Sequence, residues 1–146
     1  MKKYTLITFI LLVTITTLQA ATKATPQNLP SLPEVSREFL SAYFPAAQIS
    51  HVKVERILFW KRNYDVILTD GTNIEFDRKG EWKEIERYRT PVPSTLIPGK
   101  ITDYVQTHFS EQMIVFIERE RFGYEIELEN DIELLFDFKG NFIRMD

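Results

Sequence analysis

"FDRKGEW" at Phe76–Trp82 and "FDFKGNF" at Phe136–Phe142 carry Asp, Lys and Gly at one spacing, with an aromatic residue on each flank. Each stretch sits between two segments that alternate apolar and polar residues, so each reads as a turn between strands. An Asp in the first turn position accepts hydrogen bonds from amides two residues on, and a Gly in the fourth tolerates φ > 0 without a Cβ clash. A calcium loop would instead gather several oxygen ligands within roughly a dozen residues. Here a single Asp per turn is flanked by Lys79 or Lys139. The repeated text predicts two hairpins, with Asp77 and Asp137 at separate bends.

The likeness extends outward from the two turns. Upstream, Pro33 matches Pro98, Phe39 matches Tyr104, Phe44 matches Phe109, Ile49 matches Ile114 and Val52 matches Ile117. After a five-residue excess in the first copy, Tyr64 matches Tyr124, Val66 matches Ile126, Leu68 matches Leu128 and Ile74 matches Leu134. A single change of offset explains the whole alignment, the mark of an internal repeat. Val35, Phe39, Leu40, Tyr43 and Phe44 recur at helical spacing before Pro45, as do Ile101, Tyr104, Val105 and Phe109 after Pro98. Ser31 and Glu34 form a capping-box pattern, with Pro33 near the first helical position. After each helix the period drops to two. "YDVIL" and "YEIEL" place Tyr64, Val66 and Leu68, or Tyr124, Ile126 and Leu128, on one face, with Glu125, Glu127 and Glu129 opposite. That is the pattern of a sheet covered on one side and wet on the other. The fold class expected is α+β: two tandem helix-plus-four-stranded antiparallel sheet repeats, at 33–89 and 98–146, with the sheet open on one face. A Pro-rich linker at 90–97 joins them.

Lys2 and Lys3 precede an apolar run, Leu6–Val13, too short to span a bilayer but suited to an export signal. Residues 1–20 are read as a signal peptide cleaved after Ala20, or after Ala21 or Ala24, and 21–32 as a flexible lead-in. The expected location is periplasmic or secreted, with no membrane insertion after signal removal. The chain has no cysteine, which removes disulfide staples, thiol catalysis and a lipid-anchored cleavage site. A net charge of −3, more negative once the two leader lysines are gone, argues against a nucleic-acid partner.

Catalytic patterns are missing. His51 and His108 have no second ligand at metal spacing, and no Gly-x-Ser-x-Gly elbow, phosphate loop or HExxH motif occurs. No enzyme is expected. The acidic run Glu118, Glu120, Glu125, Glu127, Glu129, Asp131 and Glu133 reads first as a solvated strand face, and alternatively as a weak calcium surface. The five-residue excess, "RILFWKRN" at Arg56–Asn63, puts Ile57, Leu58, Phe59 and Trp60 in succession, so a long hairpin must show apolar residues on both faces. Exposed aromatics with a basic rim mark contact sites. Phe138 is a second such aromatic, since Arg78 occupies the equivalent turn position.

The stretches "FLSAYFPAAQI" and "YDVILTDGTNIEFDRKGEW", followed by "IPGKITDYVQTHF" and "YEIELENDIELLFDFKGNF", resemble the bacterial PepSY-like, β-lactamase-inhibitor-like periplasmic proteins. The likeness spans about residues 30–146 and departs at Ser110, where the first copy has Pro45, and at Asn130–Asp131, where it has Asp70–Gly71. The resemblance implies BLIP-like tandem units with an open concave face, and inhibitor-like docking on a target. The functional expectation is an exported, non-enzymatic binding protein. It contacts a protein or peptide of the cell envelope through the open face and the long first hairpin, with Phe59, Trp60, Arg62 and Phe138 as contacts. The alternative is a calcium-responsive periplasmic module in which Glu125, Glu127 and Glu129 hold the ion; otherwise no cofactor is expected.

Overall fold

The structure, a computed structural model, describes residues 32–57 and 61–146, the side chains at 56, 57, 61 and 62 excepted. The expected export signal, the lead-in up to Ser31, and Phe59 and Trp60 lie outside the described residues. Helix α1 (Glu34–Tyr43) is followed by β1 (Ile49–Ile57), β2 (Lys61–Leu68), β3 (Asn73–Phe76) and β4 (Trp82–Glu86). Helix α2 (Gly99–His108) is followed by β5 (Ile114–Arg119), β6 (Gly123–Leu128), β7 (Glu133–Asp137) and β8 (Phe142–Met145). All eight strands join in chain order into one antiparallel sheet. The two four-stranded halves are therefore edge-to-edge parts of a single sheet. They meet at a seam where Glu84, Ile85 and Glu86 of β4 pair with Glu118, Ile117 and Phe116 of β5.

The two aspartate turns are near-copies of each other. Asp77 Oδ1 accepts from the amides of Lys79 (2.8 Å) and Glu81 (3.0 Å), and Asp137 Oδ1 accepts from those of Lys139 (2.8 Å) and Asn141 (2.9 Å). Gly80 and Gly140 have φ of +90° and +75°, a region that a β-carbon disfavours. The aspartates sit at separate bends, between β3 and β4 and between β7 and β8. Their conservation of form is structural: each glycine lies under the start of a helix. A β-carbon on Gly80 would stand 2.7 Å from Pro33 Cβ, and one on Gly140 would stand 2.9 Å from Lys100 Cβ. The buried Ser36 hydroxyl donates to the Gly80 carbonyl at 3.1 Å, tying α1 to its turn.

Period-two patterning puts one residue in two from each strand under the helices. Val52, Val66, Ile74, Ile85, Ile117, Ile126 and Leu134 face one another in register across seven strands, and all are buried. Leu40 of α1 and its C-cap Phe44, and Ile101 and Val105 of α2, close over this row in one cluster. Phe39 meets Phe76 edge-on at 5.6 Å, and Tyr104 meets Phe136 in the same way at 5.3 Å. Each large side chain removed from water contributes about 1.5–3 kcal/mol, so the helices are held by packing.

Pro33 is the N-cap of α1 and makes no side-chain cap hydrogen bond, and Ser31 of the expected capping box lies outside the described residues. Packing reaches beyond the local signals at two places. Leu32, assigned to the lead-in, is buried in the core. The Pro-rich connection is packed: Val92 and Ile97 are buried, the Val92 amide donates to the Ile114 carbonyl at 2.8 Å, and Ser94–Leu96 forms a single 3-10 turn. Prolines exclude helix and central strand, but the aliphatic residues between them still find the core.

Candidate functional site

The side of the sheet away from the helices is built from the alternate residues of the same strands. Lys53 faces Asp65, Asp65 faces Glu75, Glu75 faces Glu84, Glu84 faces Glu118, and Glu118 faces Glu125. Five carboxylates thus lie in one register row across five adjacent strands, and the row ends in Leu135 and Arg144. Directly opposed like charges at strand spacing cost on the order of 1–3 kcal/mol per pair, depending on solvent screening.

Direct ion pairs reach only one end. Glu75 Oε1 accepts from Lys83 Nζ at 2.6 Å and from Asn63 Nδ2 at 2.8 Å. Lys53 pairs with Glu55 and stands 3.8 Å from Asp65. No hydrogen bond or ion pair among the described residues reaches Glu84, Glu118 or Glu125. Burial, then Glu118, Glu75 and Glu86, push the Glu84 carboxyl up to about 7. Burial and then Glu120 raise Glu118; burial and then Glu133 and Glu118 raise Glu125. Asp65 is raised by burial, Glu55 and Glu75. The centre of the row, at the β4–β5 seam, is a cluster of carboxyl groups with no hydrogen-bonded or ion-paired partner among the described residues.

A second row runs Glu86, Phe116, Glu127, Glu133. Burial, then Asp131 and Glu133, raise Glu127. A cleft of about 130 Å³ at this end is lined by residues including Glu86, Tyr88, Glu127, Glu129 and Asp131.

The expected site residues fall in different places. Glu125 and Glu127 do lie on the open face, while Glu129 lies in the turn after β6 and shares the cleft with Glu127 but not with Glu125. Among the described residues no group of three or more His, Cys, Asp or Glu side chains is arranged to hold a metal. Phe138 is 59% exposed and packs edge-on against Tyr124 at 5.9 Å. Tyr124 has helix-side parity, so Phe138 is not brought together with the open-face acids. Phe59 and Trp60 are outside the described residues. Arg62 is placed only by its backbone, opposite Arg56 in a first hairpin whose strands, of nine and eight residues, outrun the six-residue strands of the second. His108 stacks on Tyr104 at 4.2 Å, and His51 is exposed on β1.

Sequence reasoning missed Asp65, Glu75 and Glu84. Their alternation with the buried Val66, Ile74 and Ile85 was visible, but their alignment with Glu118 and Glu125 depends on the seam register. Exposed Tyr88 and Phe122 were missed as well.

The profile of the family described as "Putative beta-lactamase-inhibitor-like, PepSY-like" matches residues 62–144. A solved structure described as a "putative periplasmic protein of unknown function", from Bacteroides vulgatus, is 39% identical with a TM-score of 0.78, covering 82% of this chain and 95% of its own. A "putative calcium-regulated periplasmic protein" from Bacteroides thetaiotaomicron is 36% identical with a TM-score of 0.75, covering 80% and 91%. A further B. vulgatus periplasmic protein is also 36% identical, at TM-score 0.73, covering 79% and 90%. No curated protein matches the chain significantly. Among the described residues no helix is long and apolar enough to cross a membrane. A profile spanning more than half of the sequence, together with relatives above a third in identity over most of both chains, makes this chain a member of the PepSY-like, β-lactamase-inhibitor-like family.

Proposed function

We propose that the protein is an exported, non-enzymatic binding protein, periplasmic or secreted, whose open sheet face holds a cationic segment of a cell-envelope protein or peptide. The observation that carries this reading is the carboxylate row across the seam, in which Glu84, Glu118 and Glu125 lack partners among the described residues. A lysine- or arginine-bearing segment laid across the strands would supply the missing counter-charge. The periplasmic description of the relatives and the inhibitor-like description of the family point the same way. In this reading the two helix-plus-four-strand units are copies of one scaffold, and recognition resides where the copies differ: the long first hairpin with Phe59, Trp60 and Arg62, and the turn bearing Phe138.

Fluorescence anisotropy with labelled oligolysine and oligoglutamate tests the charge. Oligolysine binds, its Kd rises by about tenfold or more between low and high salt, and Glu84→Gln with Glu118→Gln weakens it comparably. Equal binding of oligoglutamate, or indifference to both substitutions, removes the proposal. Alanine at Phe59 and Trp60 reduces capture of envelope proteins; unchanged capture removes the hairpin from the interface.

The relative described as calcium-regulated favours a second reading, in which Glu125, Glu127 and Glu129 respond to calcium. Titration calorimetry decides it: saturable heat at millimolar calcium, abolished by Glu127→Gln, establishes the response, and no heat dismisses it.

A further inference from the structure

The seam shows how this sheet receives a strand. On its inner side β4 pairs with β3 as Ile74 opposite Ile85, Glu75 opposite Glu84 and Phe76 opposite Trp82, with a register shift between Glu75 and Phe76. β8 pairs with β7 in the same way: Leu134 opposite Met145, Leu135 opposite Arg144 and Phe136 opposite Phe142, with the shift between Leu135 and Phe136. The helix side agrees as well, since Phe39 packs on Trp82 and Tyr104 stacks on Phe142. The two strands differ on their outer side. β4 carries β5 there: Ile117 opposes Ile85, Glu118 opposes Glu84, and the Arg119 guanidinium sits 3.6 Å from the centre of the Trp82 ring. Ile85 is then fully buried and Trp82 5% exposed, whereas Met145 is 56% and Phe142 39% exposed. No strand among the described residues lies on the outer edge of β8.

We propose that this edge receives an antiparallel strand from a partner protein, in which an aliphatic residue, an acid and an arginine follow one another. The aliphatic side chain covers Met145 as Ile117 covers Ile85. The arginine lies over the free side of Phe142 as Arg119 lies over Trp82, a cation–π contact. The acid distinguishes this edge from the seam. Glu118 meets another glutamate at Glu84, but the same position here meets Arg144, whose only charged partner among the described residues is Asp146. A like-charge clash becomes an ion pair, and backbone pairing supplies the affinity common to strand addition at open edges. This surface is separate from the acidic face, and its test does not depend on that reading.

A labelled peptide copying β5 and its flanks, QMIVFIERER, serves as the probe with the full chain. The peptide binds saturably. N-methylation of the amide corresponding to Ile117, which blocks backbone pairing toward β8, lowers affinity at least about tenfold. Arg144→Glu weakens the native peptide, and a peptide in which the residue corresponding to Glu118 is Arg restores binding to that variant. Circular dichroism of Arg144→Glu matching the parent keeps a folding defect from imitating the loss. The proposal is overturned by absent binding, by an N-methylated peptide that binds as well as the parent, or by indifference to Arg144→Glu, which would move the contact to the β1 edge or to nonspecific apolar adsorption.

Discussion

Gly80→Ala destabilises the protein by about 2–4 kcal/mol, and urea denaturation followed by circular dichroism places its midpoint roughly 1–2 M below the parent's. Two costs combine. At φ +90° an L side chain enters the left-handed region, at about 1–2 kcal/mol. The new β-carbon would also stand 2.7 Å from Pro33 Cβ, 2.8 Å from Ser36 Oγ and 3.1 Å from the Ser36 amide. The helix start must shift or the turn must open, and overpacking of this kind costs about 1–3 kcal/mol. Relief by rotation of Ser36 would break its bond to the Gly80 carbonyl. Gly140→Ala bears the φ cost and one contact under 3 Å, Lys100 Cβ at 2.9 Å, where Gly80→Ala meets two; its next neighbour stands at 3.6 Å. It loses less than Gly80→Ala, about 1–3 kcal/mol. Equal losses at the two glycines would refute the view that the first turn is wedged under α1.

Stability falls as pH rises from about 4.5 to about 7, and Glu84→Gln flattens that slope. Glu84 titrates near 7 in the folded protein against an unfolded value of 4.5, so the folded state holds the extra proton between those limits. Where the folded state binds more protons, unfolding becomes easier with rising pH, and the loss is complete above the folded value. Glu84 is faced by Glu75 from β3 and Glu118 from β5, with Lys83 and Glu86 on its own strand; Lys83 is committed to Glu75. The full shift would correspond to about 3.4 kcal/mol, and partial exposure reduces this to about 1–2 kcal/mol. The opposite limb comes from Asp70. Burial raises it, but hydrogen bonds from Thr72 and then the Arg87 guanidinium outweigh burial and hold it below the usual carboxylate range. Its contribution is lost as pH falls through that depressed value. Thermal melts from pH 3 to 9 therefore peak in mildly acid solution, and Glu84→Gln is more stable than the parent at pH 8. A profile unchanged by Glu84→Gln would remove the seam as the origin of the slope.

Those two substitutions divide what could be read from the chain from what could not. Gly80 and Asp77 were recognisable because a turn is a local object: bonds from amides two and four residues on, and one residue at positive φ, depend on neighbours in sequence. The helices and the buried faces of β2 and β6 were legible for the same reason, since periods of 3.6 and 2 are written directly into residue order. Where local grammar is silent packing decides, as in the Pro-rich connection, whose Val92 and Ile97 are core residues.

Glu84 belongs to the other kind. Nothing in "EWKEIER" sets it apart from Glu86, because its environment is made by Glu118, which reaches it across a seam that no hairpin specifies. Residue order alone established the alternation, the turns and the composition of each strand. Which carboxylates stand opposite one another, and which edge is left with an arginine and uncovered apolar side chains, follow from strand register across the β4–β5 contact. Register between chain-distant strands is set by the joint burial of a core row, a property of the assembled sheet and not of any segment within it.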